Sequence, residues 1–141
     1  MAGHIFDLRM AASYAATDND IASLDVDALA DNEWTALELD TLTPGFLIYV
    51  YSMFTCQHLY LRTNGRERDL HFASSRGRIR VEASEDWHLE KVDVRFDVKL
   101  ARGDAGTEDI DYIVSRMKQC PVSKNFPPGI DVLTDIKFND G

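Results

Sequence analysis

Cys56 and Cys120 are the residues of this chain whose type and placement best suit chemistry. A cysteine reacts as its thiolate, which needs a cation or similar donor nearby when the sulfur is partly buried. A second thiol within reach can trap an oxidised first one as a disulfide before it oxidises further. The plainer alternative is that both cysteines are small buried hydrophobes. Two cysteines make no disulfide framework of the kind small secreted domains use. There is no Cys-x-x-Cys and no glycine-rich phosphate loop, so thioredoxin-type exchange and nucleotide binding have no support.

The elements that must position these thiols can be read from periodicity. Phe6, Leu8 and Met10 alternate with Asp7 and Arg9, Leu24, Val26 and Ala28 with Asp25 and Asp27, and Leu37 and Leu39 with Glu38 and Asp40. Each pattern fits a strand with one buried and one wet face. A helix is expected over 44–63, with Thr43 as N-cap, Pro44 at its first position and Asn64-Gly65 as its stop. Its segment from Phe46 to Cys56 is apolar on all sides and must be covered on all sides, which a dimer interface would do. Leu70 and Phe72, a turn at Ser75-Arg76-Gly77, then Ile79 and Val81 read as a hairpin. The strongest strand signal is Val92, Val94, Phe96, Val98 and Leu100 alternating with charged residues. After a loop at Gly103 to Gly106, a second helix starts near Thr107, with Glu108, Asp109 and Asp111 early and Arg116 and Lys118 late, as the helix dipole favours. Its apolar stripe of Ile110, Ile113, Val114 and Met117 continues to Cys120, and Pro121 ends it. Ile130, Val132, Ile136 and Phe138 form a last strand. Clustered strands around two helices make an α+β fold in one domain spanning residues 1–141. Both cysteines are then expected to face the core.

Other candidates have plainer alternatives. His58 could assist the thiol from another helix face, or simply pack. Cys56 and His58, with His71 and His88 later, could suggest a metal site, but residues two apart on a helix do not share a face, so no metal or other cofactor is expected. Arg76, Arg78 and Arg80 line one side of a strand and could hold an anionic ligand such as a phosphate-bearing thiol; the alternative is a solvated face.

The tract Cys120-Pro121-Val122-Ser123-Lys124-Asn125, followed by Gly129-Ile130-Asp131-Val132, resembles the C-terminal signature of the OsmC/Ohr hydroperoxide reductases. The upstream cysteine in a central helix and the strong strand between the two match as well. The resemblance covers about residues 40–138. It implies antiparallel sheets packed on a central buried helix plus a second amphipathic helix, in an intertwined homodimer. It implies that Cys56 attacks an organic hydroperoxide, that Cys120 resolves the product, and that a dithiol reductant resets the pair. The alternative on the same fold is a non-catalytic protein that binds an apolar or thiol-containing small molecule. Those branches also use an arginine from an early strand and a glutamate ten residues before the first cysteine. The arginine role would fall on Arg9, the only lysine or arginine before Arg62, unless Arg9 is an outward strand residue. At the glutamate position stands Phe46, which favours the binding alternative.

Composition bounds the rest. The net charge is −9, and residues 1–60 hold Arg9 as their one basic side chain against nine acids. Such a chain repels phosphate backbones, so nucleic acid is not an expected partner. The most apolar run, Phe46 to Cys56, is eleven residues, too short to span a bilayer. The start carries His4, Asp7 and Arg9 where a signal peptide would be apolar. A cytoplasmic location follows as the expectation.

Overall fold

The computed structural model describes residues 3–15 and 18–140. Strands β1 (His4–Tyr14), β2 (Ile21–Ala30) and β3 (Glu33–Ala36) come first, then helix α1 (Gly45–Glu67). Strands β4 (His71–Ala83) and β5 (Leu89–Arg102), helix α2 (Thr107–Met117), a short 3-10 turn at Ser123–Asn125 and strand β6 (Asp131–Asp140) follow. The strands form one six-stranded sheet in the order β3-β2-β1-β4-β5-β6. Every neighbouring pair is antiparallel except β5 and β6, which run parallel. The sheet is therefore mixed, where the resemblance implied antiparallel pairing alone. The reason lies in the chain between them: α2 crosses over after β5, and a crossover delivers the next strand in the same direction.

Period-two alternation decides which face carries the helices. Leu8, Met10, Ala12 and Tyr14 of β1 are buried, and Ile79, Val81, Val92, Val94, Phe96 and Val98 on β4 and β5 join them. From α1 they receive Val50, Met53, Phe54 and Leu61, and from α2 Ile113 and Met117. Each large side chain fully buried here contributes roughly 1.5–3 kcal/mol of transfer free energy. The strand signals were strong enough to place β1, β2, β5 and β6.

Several boundaries differ from expectation for physical reasons. The third strand is Glu33–Ala36, ahead of the Leu37/Leu39 alternation, although Leu37 still donates its N–H to the Val26 carbonyl at 2.8 Å. Thr43 does not cap α1; its hydroxyl bonds the Asp40 backbone N–H, and Pro44 is the capping residue. The helix also runs through Asn64-Gly65 to Glu67. Asn64 bonds the Tyr60 carbonyl one turn back at 2.7 Å, and Gly65 is needed for closeness: a Cβ there would lie 2.6 Å from the Phe72 ring. The left-handed stop falls instead at Asp69, φ 58°. Ser75-Arg76-Gly77 is no turn but the middle of the unbroken strand β4, where Gly77 leaves room for the Phe96 ring. Finally α2 ends at Met117, so Cys120 lies in the turn beyond it.

Candidate functional site

Cys56 lies on the middle of α1, half-buried, and Cys120 is fully buried in the turn after α2. Both are free thiols. Pro121 forbids Cys120 a helical continuation, so the chain turns back at this point. The Lys124 N–H closes the turn on the Cys120 carbonyl at 2.9 Å. That turn sets Cys120 beside Cys56, where the second thiol raises the pKa of the first and the Val122 backbone N–H lowers it. The two residues singled out first are therefore brought together.

A buried polar chain holds the second sulfur. The Cys120 thiol donates to Ser123 Oγ at 3.0 Å, and the Ser123 N–H donates back to Cys120 Sγ at 3.4 Å. Gln57 Nε2 donates to the same hydroxyl at 3.2 Å. Thr134 Oγ1 donates to Gln57 Oε1 at 3.2 Å, which fixes the amide with its NH2 toward Ser123. Gln57 and Thr134 carried no signal in the pattern reading. The clue available was an amide directly after the apolar run that ends at Cys56: when buried, such a group must find partners.

The electrostatics keep Cys56 protonated. Burial first, and then the neighbouring Cys120, push its thiol up to about 11 against the lowering effect of the Val122 N–H. No lysine or arginine among the described residues adds to the support of its charge.

Arg9, expected to serve the thiol, is not brought to it. The β1 neighbours Leu8 and Met10 face the helices, so Arg9 points from the opposite face of the sheet, with its side chain 49% exposed. There it pairs with Asp27 at 2.9 Å and lies over the Trp34 ring at 4.5 Å. Strand alternation dictates this: two side chains one residue apart cannot both face α1.

His58 does not reach the thiol either. It is buried on the sheet side of α1, where its Nε2 and the Tyr14 hydroxyl lie 2.7 Å apart; that hydroxyl also meets Ser75 Oγ at 2.5 Å. Burial, and then the charge of Arg62, push its imidazole down to about 4. Phe46 packs at the start of α1 in an aromatic cluster, its ring centre 5.2 Å from Phe6, 5.3 Å from Trp87 and 5.6 Å from Tyr49. Ten residues of helix, about 15 Å, separate it from Cys56. Arg76, Arg78 and Arg80 do share one face of β4, the exposed one.

No protein-family profile matches the sequence, and no curated protein does. Solved structures do match. The OsmC like protein from Mycoplasma pneumoniae superposes with a TM-score of 0.52 at 9% identity, covering 99% of this chain and 97% of its own. An OsmC-like hydroperoxide resistance protein from Jannaschia sp. CCS1 gives 0.51 at 13% identity, covering 86% of this chain and 85% of its own. At these identities the likeness is one of fold. The fold is OsmC-like, as the Cys-Pro-Val-Ser tract implied, and is α+β with a mixed sheet and two helices. Among the described residues, no helix is long and apolar enough to cross a membrane.

Proposed function

We propose that this chain is a cytoplasmic thiol peroxidase that reduces organic hydroperoxides through Cys56 and Cys120. The observation that carries the reading is the nearness of two free thiols on separate elements of an OsmC-like fold, close enough that one shifts the pKa of the other. In the first step the Cys56 thiolate attacks the terminal peroxide oxygen. The O–O bond breaks, the alkoxide takes a proton to leave as alcohol, and Cys56 becomes a sulfenic acid. The Cys120 sulfur then attacks Cys56, forming the disulfide and releasing water. An external dithiol reduces the disulfide by exchange, is itself oxidised, and restores both thiols. Half-exposed Cys56 is the sulfur a substrate can reach, and fully buried Cys120 is the one kept for resolution.

The working unit in this proposal is a homodimer. Ile48 and Leu59 stay exposed on the side of α1 away from the sheet. Leu24 sits opposite buried Ala12, on the helix-bearing face, yet is 38% exposed. A second copy covering these apolar side chains would bury the interface of roughly 2,000 Å² or more that obligate dimers use. Light scattering checks the dimer, and a monomer at micromolar concentration would count against it.

A second reading has its own support. A thiol pushed up to about 11 with no cation of its own chain beside it is a poor nucleophile at neutral pH. With Phe46 packed among aromatic rings, the site then suits a non-catalytic protein that binds an apolar or thiol-containing molecule. The deciding experiment is consumption of an organic hydroperoxide by the reduced protein with a dithiol, beside its Cys56→Ser variant. Turnover that depends on Cys56 supports the peroxidase. Consumption no faster than that of the variant leaves the binding protein.

A further inference from the structure

The outer face of the sheet, remote from the thiols, carries a groove of about 750 Å³, within the usual range for small-molecule sites. Its floor is set by strand register. One row across five strands reads Asp27, Arg9, Arg78, Arg95, Asp135. Three arginines thus stand directly opposite one another on adjacent strands, about 4.8 Å apart per strand. Like charges in direct cross-strand opposition are destabilising. The next row places Ala11 between Asp25 and Arg76, and that small side chain leaves the hollow open above the sheet.

Each arginine of the row has a carboxylate partner, and the one on Arg78 is shared with Arg80. Arg9 pairs with Asp27, Arg78 with buried Asp7, and Arg95 with Asp93. The Trp34 ring lies 4.5 Å from the Arg9 guanidinium and 5.3 Å from that of Arg78, which restrains both planes. Arg76 lines the groove without an ion pair among the described residues, and its cross-strand neighbour Asp97 takes a hydrogen bond from Asn139 instead. Positive charge is concentrated at the centre, with carboxylates at both ends of the row.

The geometry points to this groove as a binding site for a small phosphomonoester whose remaining groups are hydroxyl or ammonium. Several guanidinium groups lining one groove suit a tetrahedral dianion, which can accept from more than one of them, whereas a planar carboxylate fills a single fork. The central arginines take the phosphate. The terminal Asp27 and Asp135 accept hydrogen bonds from the hydroxyl or ammonium end and repel a second phosphate. That same charge pattern rejects a polyanion such as nucleic acid. The site is independent of the thiol pair.

The test is a low-salt NMR titration of the full chain with glycerol 3-phosphate, and with glycerate as the carboxylate of comparable size. The expected result is saturable binding of glycerol 3-phosphate, with amide shifts confined to the groove segments of β1, β2, β4, β5 and β6, and weaker binding of glycerate. Arg95→Gln and Arg76→Gln should each weaken it about tenfold. Arg76→Gln removes no ion pair and so guards against a folding defect. Lys99→Gln, on β5 outside the groove, should leave binding unchanged. No saturable shift, binding undiminished in either arginine variant, or glycerate bound as tightly as the phosphate would each overturn the proposal.

Discussion

Replacing Cys120 by alanine should lower the pH at which Cys56 reacts. In the native site the Cys56 thiol is pushed from an ordinary value of 9.0 up to about 11. At pH 8 an ordinary thiol is about one-tenth thiolate, whereas one at 11 is about one part in a thousand. Since only the thiolate is alkylated, Cys56 should react about a hundredfold more slowly than an unperturbed thiol at that pH. Burial is the largest cause, so the shift survives in part without Cys120. The Cys120 thiol and its charge are the other two raising influences, and Cys120→Ala removes both while the Val122 N–H continues to lower the value. The midpoint should therefore fall from about 11 toward 9.0, speeding alkylation at pH 8 by a factor whose ceiling is about a hundred. The assay is a pH series of iodoacetamide labelling, read by mass spectrometry on the peptide that contains Cys56. A native midpoint at or below pH 7 would refute the reasoning, because a cation outside those described in this chain would then have to hold the thiolate. A midpoint that rises in Cys120→Ala would refute it equally.

Three further outcomes are expected. His58 takes a proton near 6.5 when unfolded but only near 4 when folded, so its contribution to stability is complete above about 6.5 and is lost as the pH falls toward 4. The loss is about 3 kcal/mol, and urea unfolding in His58→Gln should lack that part of the slope between those pH values. Gln57→Leu strands the buried Thr134 hydroxyl and leaves that of Ser123 with the Cys120 thiol alone; it should cost about 1–3 kcal/mol in denaturant unfolding and slow peroxide-driven disulfide formation. Gly77→Ala places a Cβ 2.6 Å from the Phe96 ring and 3.2 Å from Met10 Cγ. Phe96 is held between His58 and Phe54, so the overpacking should cost about 1–3 kcal/mol, seen as a lower Tm.

The sequence by itself determined the two helices, most of the strands and the pair of cysteines worth pursuing. Alternation and helical spacing are local properties: the strand from Val92 to Leu100 buries the side chains its pattern assigns, and in β1 Leu8 and Met10 are buried and Phe6 partly so. The Pro after Cys120 likewise announced a break in the chain at that point. Tertiary structure decided what depended on neighbours distant in sequence. Gly65 and Gly77 looked like a stop and a turn, but each is a place where a ring from another strand, Phe72 or Phe96, needs the room of a missing side chain. Arg9 was the one early cation and so the natural partner for a thiol, yet the face it occupies follows from the register of Leu8 and Met10 against the core. The same register lines it up with Arg78 and Arg95, from strands far along the chain, and no spacing within one strand can reveal that row. Gln57, Ser123 and Thr134 became one hydrogen-bonded chain for the same reason: a buried amide must be satisfied, but only the packing of α1 against the turn and β6 decides by whom.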